Sequence, residues 1–325
     1  MTASSERSRT ESDNEPGVAL SEGDTPAIHT QDLAKKYGHV TALAGLTMTV
    51  PKGEVFGFLG PNGAGKTTSV KLLLGLTEPS SGQAWLLGAP IGDLAVRRRV
   101  GYLPELFRYQ AFLTAREVLA FHCDLARVSR SSWKEEIAEA LRTVGLSDRA
   151  DDRCGTFSKG MQQRLGLGVA LLGKPELVFL DEPTSALDPV GRHDVREITR
   201  RLRDRGTTVF LNSHLLSEVE MVCDRVAVVD HGRVIALGTI HDLLRGADMV
   251  RVRMTGLNGG SGRIEGFAAP SEDGEWMTFR DVKEERVPDL VAEIVRLGGR
   301  VYAVEPQQQS LEDRFLQLLE EEEAR

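Results

Sequence analysis

The chain has 325 residues, 41% of them hydrophobic and 27% charged, which are the proportions of a folded globular protein. Its net charge of −8 leaves no basic excess to neutralise phosphates, so we expect no nucleic-acid partner. The apolar runs are shorter than the ~20 residues that a membrane-spanning helix needs, and the polar, acidic beginning shows no signal peptide. We expect a cytoplasmic chain in which three well-separated cysteines are reduced thiols: Cys123, Cys154 and Cys223.

The composition changes along the chain and predicts separate segments. Residues 1–26 are rich in Ser, Glu, Asp and Thr with almost no large apolar side chains, so we expect a disordered tail. Over 27–244, strand-like runs alternate with helical patterns, which is typical of an α/β domain with a mixed, largely parallel sheet core. Within it, residues from about 106 to 172 show helical periodicity and predict an inserted helical subdomain. Residues 245–325 predict a small C-terminal α+β accessory domain.

Residues 60–67, Gly-Pro-Asn-Gly-Ala-Gly-Lys-Thr, fit the phosphate-binding pattern Gly-x₄-Gly-Lys-Ser/Thr. The apolar run 55–59 before them predicts a buried strand, and the residues after them predict a helix. Glycines let backbone N–H groups converge on phosphate oxygens, and the helix N-terminus adds a positive dipole end. The alternative, a Gly-rich turn without a ligand, is disfavoured by the complete match in this context. We expect these residues to bind a nucleoside triphosphate: Gly60, Pro61, Asn62, Gly63, Ala64, Gly65, Lys66, Thr67 and Thr68.

A second motif is the apolar run 177–180 followed by two carboxylates, Asp181 and Glu182. An acid at a strand end beside a phosphate loop can hold Mg²⁺, and we assign that role to Asp181 together with the Thr67 hydroxyl. Glu182 is the candidate general base for an attacking water. The alternative is a buried strand followed by a solvated acidic turn.

Residues 157–164, Phe-Ser-Lys-Gly-Met-Gln-Gln-Arg, open a predicted helix with Ser158 as its N-cap. An ordinary helix start explains this pattern. So does a second helix N-terminus that holds an anion.

Five segments in this order resemble the ATP-binding subunits of ATP-binding cassette (ABC) transporters, which are P-loop ABC ATPases. The similarity extends over 27–244 and rests on segments 60–67, 157–164, 177–183, 185–188 and 212–214.

The resemblance implies ATP and Mg²⁺ as cofactors and a homodimer that closes head to tail around two ATP molecules. It implies that Ser158 and Gly160 contact the γ-phosphate bound by the partner subunit, and that His214 orients the γ-phosphate and the water. Tyr37 would stack on adenine, for which a packed aromatic side chain is the alternative. Asp188 belongs to the segment that communicates between the two sites.

Two segments depart from the commonest family pattern. The signature is Phe-Ser-Lys-Gly-Met in place of Leu-Ser-Gly-Gly-Gln, and it keeps Ser158 and Gly160. The loop 101–105 ends in Glu105 where the family usually has a Gln that contacts the metal, so Glu105 is a candidate ligand carrying an added charge. Both variants resemble the subfamily that exports drugs, antibiotics or sodium through separate membrane subunits.

We therefore predict an ATPase subunit that drives a separate integral-membrane permease and is peripheral on the inner face of the cell membrane. One alternative is a soluble cassette ATPase acting on a non-membrane partner. Another is a nucleotide sensor without turnover, which would need neither Glu182 nor His214.

Overall fold

The computed structural model describes residues 25–185, 187–244, 248–256, 264, 266–267, 271–273, 276–280, 282–308 and 310–323. The predicted disordered tail lies outside the described residues except for its last two positions, and Ala186 of the segment 185–188 also lies outside them.

The described strands are β1 (Ile28–Tyr37), β2 (Val40–Val50), β3 (Val55–Leu59), β4 (Ser81–Leu86), β5 (Ala89–Pro90), β6 (Val100–Leu103), β7 (Leu177–Asp181), β8 (Thr208–Asn212), β9 (Arg225–Asp230), β10 (Arg233–Thr239), β11 (Asp248–Thr255), β12 (Ser271–Asp273), β13 (Trp276–Arg280) and β14 (Arg300–Gln308). The described α-helices are α1 (Lys66–Leu73), α2 (Leu94–Arg97), α3 (Ala115–Leu125), α4 (Trp133–Thr143), α5 (Lys159–Ala170), α6 (Pro189–Asp204), α7 (Leu216–Val222), α8 (Ile240–Leu244), α9 (Val287–Arg296) and α10 (Leu311–Glu323).

The central sheet has the strand order β10-β9-β3-β8-β7-β6. Its pairs are parallel except for β10, which pairs antiparallel with β9 in a hairpin whose turn contains Gly232. Strands β3, β7 and β8 are buried along their whole length, as expected for parallel strands covered on both faces. The predicted mixed, largely parallel sheet is confirmed.

Alternate residues of the central strands face two different cores. On one face Leu59, Leu180 and Leu211 pack with α3, α4, α5 and α6. On the other face Phe58 and Phe210 pack with α1 and with a second sheet. This second sheet is antiparallel, with the order β2-β1-β4-β5, and the sequence analysis did not predict it. The central strands are thus held between helices and an antiparallel layer.

Helices α3, α4 and α5 lie between β6 and β7 in the chain and contact one another, in the region where we predicted an inserted helical subdomain. Helix α3 begins with a reciprocal capping box in which Thr114 and Glu117 exchange side chain–backbone hydrogen bonds.

The last described part of the chain forms a third sheet, β12-β13-β11-β14, with α9 packed on β14. Its small core contains Val252, Phe279 and Ile294. Helix α10 leaves that core and packs on α7, α8 and β10, where Phe315 joins the core of the central sheet. The carboxylate of Glu220 in α7 accepts a 3.0 Å hydrogen bond from the backbone N–H of Leu311, at the start of α10. The C-terminal helix is therefore attached to the part of the chain that contains the central sheet.

Candidate nucleotide-binding site

The Gly-rich loop connects the buried strand β3 to helix α1, as the sequence predicts. The Lys66 ammonium donates hydrogen bonds to the carbonyl oxygens of Gly60, at 2.6 Å, and Pro61, at 3.0 Å. Gly63 and Gly65 have φ values of +87° and +98°, which glycine adopts readily. A Cβ atom on Gly65 would lie 2.5 Å from the carbonyl oxygen of Ala42, so this position has no space for a side chain.

The turn between β9 and β10 supports the phosphate loop from behind. The N–H of Gly232 donates to the carbonyl oxygen of Ala64 at 3.0 Å. The carbonyl oxygen of Gly232 accepts from the N–H groups of Ala44 and Gly45, both in β2. A Cβ atom on Gly232 would lie 2.5 Å from the nitrogen of Ala44. One hairpin turn thus joins the loop to the antiparallel sheet.

The two predicted carboxylates lie at the C-terminal end of β7, next to the end of β8. Asp181 is buried, and its Oδ1 accepts a hydrogen bond from Nδ2 of Asn212 at 2.5 Å. Glu182 is also buried and has a φ of +51°, and its backbone N–H donates to the carbonyl oxygen of Asn212 at 2.8 Å. Of the two acidic residues, Glu182 lines the cavity described below, whereas Asp181 does not.

His214 lies beside Glu182, with 2.8 Å between His214 Nδ1 and Glu182 Oε2. Burial raises the pKa of Glu182, and the hydrogen bond to His214 opposes that shift. Burial also raises the pKa of Asp181, and the hydrogen bond from Asn212 opposes it. Burial lowers the pKa of Lys66, with Glu182 and Asp181 acting in the other direction. The cation and the carboxylates therefore favour each other's charged forms.

These groups meet at one open cavity of about 510 Å³. Asp181 does not line it, but its carboxylate is hydrogen-bonded to Asn212, which does. The lining residues are Val40, Thr41, Ala42, Asn62, Gly63, Gly65, Lys66, Thr67, Thr68, Glu105, Glu182, Asn212 and His214. The structure thus brings together the phosphate loop, the predicted base, His214 and the Thr67 and Glu105 side chains.

Tyr37 is at the end of β1 and does not line this cavity. Its side chain is 48% exposed, and the ammonium of Lys35 lies 5.0 Å from the centroid of its ring. Its cross-strand partner Val40 does line the cavity. Stacking of Tyr37 on a base therefore stays a prediction.

The remaining predicted nucleotide contacts lie around a second cavity, of about 360 Å³. Ser158 caps α5, as predicted, by accepting a 3.2 Å hydrogen bond from the N–H of Met161. Asp188 caps α6 by accepting a 2.8 Å hydrogen bond from the N–H of Gly191. Both residues and Gly160 line this second cavity, which has no lining residue in common with the first. The predicted contacts of one ATP thus divide into two separate groups.

Sequence reasoning missed several contributors to the first cavity. It included Asn212 in the segment 212–214 without assigning it a role, and it assigned no role to Gly232. Residues 40–42 were not considered, although all three line the cavity. No local pattern marks them, because each reaches the site through strand pairing or a backbone contact across the fold.

None of the described helices combines the length and hydropathy needed to cross a bilayer. Among the described residues, no group of three or more His, Cys, Asp or Glu side chains could hold a metal ion.

The buried strand β3 leads into a Gly-rich loop with Lys66 and Thr67, and the acidic end of the parallel strand β7 lies in the same sheet, separated from β3 by β8. These features define a P-loop nucleoside triphosphatase. The family model described as ABC transporter matches residues 43–185. An uncharacterized ABC transporter ATP-binding protein of Nostoc sp. is 40% identical over 320 residues, covering 94% of each chain. The chain belongs to the ATP-binding proteins of ABC transporters.

Two further similarities agree with this family. The daunorubicin/doxorubicin resistance ATP-binding protein DrrA of Streptomyces peucetius is 40% identical over 237 residues, 71% of each chain. A solved structure described as the ATP-binding subunit of an ABC transporter is 32% identical, with a TM-score of 0.61, and covers 67% of this chain and 92% of that one. The predicted family, fold class and ATPase activity are confirmed, as is the resemblance to the efflux subfamily.

Proposed function

We propose that this chain hydrolyses Mg²⁺-ATP as the motor subunit of an exporter, working as a homodimer on a separate integral-membrane permease. The observation that carries the proposal is the 2.8 Å contact between His214 and Glu182 at the cavity that also contains Lys66. A base, a partner that orients it and a phosphate-binding cation are the groups that triphosphate hydrolysis needs. The drug-resistance function in the name of the Streptomyces relative supports export as the use of the energy.

In the proposed reaction Glu182 is the general base. Its carboxylate accepts a proton from a water molecule while the water oxygen forms a bond to the γ-phosphorus. The bond between that phosphorus and the bridging oxygen breaks, and ADP and inorganic phosphate result. His214 holds the Glu182 carboxylate in place through the 2.8 Å contact, and Lys66 balances negative charge on the phosphates.

The oxygen donors at the cavity fit Mg²⁺, which usually takes one or two carboxylates together with phosphate and water oxygens. Thr67 and Glu105 border the cavity, and the buried carboxylate of Asp181 is hydrogen-bonded to Asn212, which lines it. These three residues would hold the ion. Bound Mg²⁺ would offset the charge of the phosphates, and the carboxylate of Glu105 would add a negative charge where the family usually has a neutral amide.

The division of the predicted contacts between two cavities supports the homodimer. Ser158 and Gly160 line the second cavity, away from the Lys66 of the same chain. A head-to-tail pair would set this second cavity of one subunit against the phosphate loop of the other, so each ATP would contact both chains. Asp188, at the start of α6 in the second cavity, would lie at the junction of the two sites, and Tyr37 would stack on the adenine of its own chain.

A groove beside β6 supports a membrane partner. It has a volume of about 390 Å³ and combines the exposed apolar side chains of Leu94 and Leu125 with the guanidinium groups of Arg98 and Arg127. An apolar segment carrying acidic side chains complements such a surface. We assign the groove to a cytoplasmic segment of the permease, which gives the subunit a peripheral position on the inner face of the cell membrane.

The first experiment measures steady-state ATP turnover and ATP binding. Glu182→Gln should bind ATP while losing turnover by ~10²–10⁴-fold, because the amide cannot accept the proton. Glu105→Gln is the matched control, since it makes the same change at another carboxylate of the same cavity. Near-normal turnover in Glu182→Gln, or an equal loss in Glu105→Gln, would contradict the assigned base.

The second experiment tests the assembly. With Mg²⁺-ATP, Glu182→Gln should form dimers in light scattering, and a Ser158→Arg change should prevent them. The chain should also co-purify with an integral-membrane protein from detergent-solubilised membranes of its source cell. Leu125→Asp should abolish that association. Val295→Asp, which makes an equivalent change at an exposed side chain of α9, should leave it intact. Capture of only non-membrane proteins would favour the alternative of a cassette ATPase with a soluble partner.

A further inference from the structure

Asn212, the last residue of β8, holds both acidic residues of the site through two different groups. It lies directly opposite Asp181 in the parallel pairing of β7 and β8. Its side-chain Nδ2 donates to the Asp181 carboxylate at 2.5 Å, and its main-chain carbonyl oxygen accepts from the N–H of Glu182 at 2.8 Å. Any displacement of Asn212 would therefore move the candidate metal ligand and the candidate base together.

The second polar atom of this amide, Oδ1, has no hydrogen-bond partner among the described residues, although Asn212 is only 2% exposed. The neighbouring carboxylate sets the orientation of the amide, because the reversed amide would put two acceptor oxygens against each other. Asn212 also lines the nucleotide cavity. Because Oδ1 is closed off from solvent, the hydrogen bond that this amide makes among the described residues is the one to the Asp181 carboxylate.

Thr208, at the other end of β8, is a buried polar residue with a structural role and serves as a comparison for Asn212. It is equally buried, and its hydroxyl oxygen accepts a 2.9 Å hydrogen bond from the N–H of Gly53. Both ends of the strand thus carry a buried polar side chain. At Thr208 the partner is backbone, whereas at Asn212 one polar atom faces a carboxylate and the other has no partner within the described part of the chain.

We infer that Asn212 is a positioning residue of the Mg²⁺-ATP site. Its Nδ2 orients the Asp181 carboxylate for the metal, at the wall of the cavity that takes the triphosphate. This inference rests on the proposed function, because it assumes that Mg²⁺-nucleotide occupies the cavity. Groups that orient a metal ligand typically contribute about 10–100-fold to metal affinity or activity.

The test measures ADP binding by calorimetry, once with Mg²⁺ and once with EDTA, and needs no turnover. In Asn212→Leu, which keeps the branched shape and removes both polar atoms, the Mg²⁺-dependent gain in ADP affinity should fall by about 10–100-fold. The affinity for metal-free ADP should stay unchanged, because the phosphate loop is intact. Asn212→Ala should behave in the same way, and it carries the test if the leucine variant does not fold. Thr208→Val is the control and should keep both affinities.

The results of this test distinguish a wrong role for Asn212 from a wrong proposed function. If the wild-type chain gains no ADP affinity from Mg²⁺, the proposed function is wrong. If the wild-type chain gains affinity and both Asn212 variants keep that gain, only the role of Asn212 is wrong. An equal loss in Thr208→Val would also overturn the inference, because it would show that any weakening of β8 has this effect.

Discussion

Glu54, immediately before β3, should make the stability of the fold depend on pH. Its side chain is only 15% exposed, and burial raises its pKa from 4.5 to about 7, with Arg225 opposing the shift and Asp224 adding to it. The opposing effect is limited because Glu54 Oε1 and Arg225 Nε are 4.0 Å apart, and neither atom has a hydrogen-bond partner among the described residues. Folding therefore favours the protonated carboxyl.

The sign and size of the effect follow from the two pKa values. Between pH 4.5 and about 7 the folded state binds more protons than the unfolded state, so stability falls as pH rises through this window. Between about pH 5.5 and pH 8 the free energy of unfolding should fall by roughly 2 kcal/mol from this group alone. The side chain keeps some water contact, so about 1 kcal/mol is the share we expect to measure.

Urea unfolding of the wild-type chain and of Glu54→Gln at the two pH values isolates this contribution. The variant cannot titrate at position 54, so its free energy of unfolding should change with pH by about 1 kcal/mol less. Glu176→Gln is the control: the hydrogen bond from Arg99 lowers the pKa of Glu176, so this carboxylate stays ionised in both states over the whole interval. Identical pH dependence in wild type and Glu54→Gln would refute the reasoning.

Two further changes probe the phosphate loop and the C-terminal helix. Lys66→Ala should weaken ATP binding by about 10–100-fold, the loss expected for a charged hydrogen bond, while Lys71→Ala on the same helix should not; equal affinities by calorimetry would contradict this. Phe315→Ala, at a side chain only 9% exposed, should destabilise the docking of α10 by about 3–5 kcal/mol and speed amide exchange there. Leu316→Ala, at a side chain 53% exposed, is the control, and equal exchange in the two variants would show that α10 is not held by this contact.

The parts of the site that the sequence predicts are those whose chemistry is local. Residues 60–67 carry their function in eight consecutive positions, and the strand before them and the helix after them follow from the same stretch. The N-cap at Ser158 is a side chain bonding to a backbone group three residues on, so it too is readable from the sequence. Short-range rules suffice wherever both partners belong to one segment.

The antiparallel sheet β2-β1-β4-β5 is a part of the fold that short-range sequence rules do not predict. In β1 the burial pattern alternates irregularly, because its pairing with β2 shifts register at three places between Thr30 and Lys36. Such shifts blur the period of two that marks a strand in sequence. The hairpin of β1 and β2 nevertheless brings Val40, Thr41 and Ala42 to the cavity wall. Periodicity in the sequence therefore does not predict this antiparallel sheet, although the sheet shapes the site.

Asn212 and Gly232 were missed for a related reason, which is that their partners are distant in sequence. The hydrogen bond from Asn212 to Asp181 joins positions 31 residues apart and depends on the register of β7 against β8. A shift of one residue would turn the Asn212 side chain away from Asp181 and toward the opposite face of the sheet. The contact of Gly232 with Ala64 likewise depends on where β9 ends relative to β3. The geometry around the phosphate loop is therefore a property of strand registers, and substitutions that shift a register should impair the site even when no residue lining it is changed.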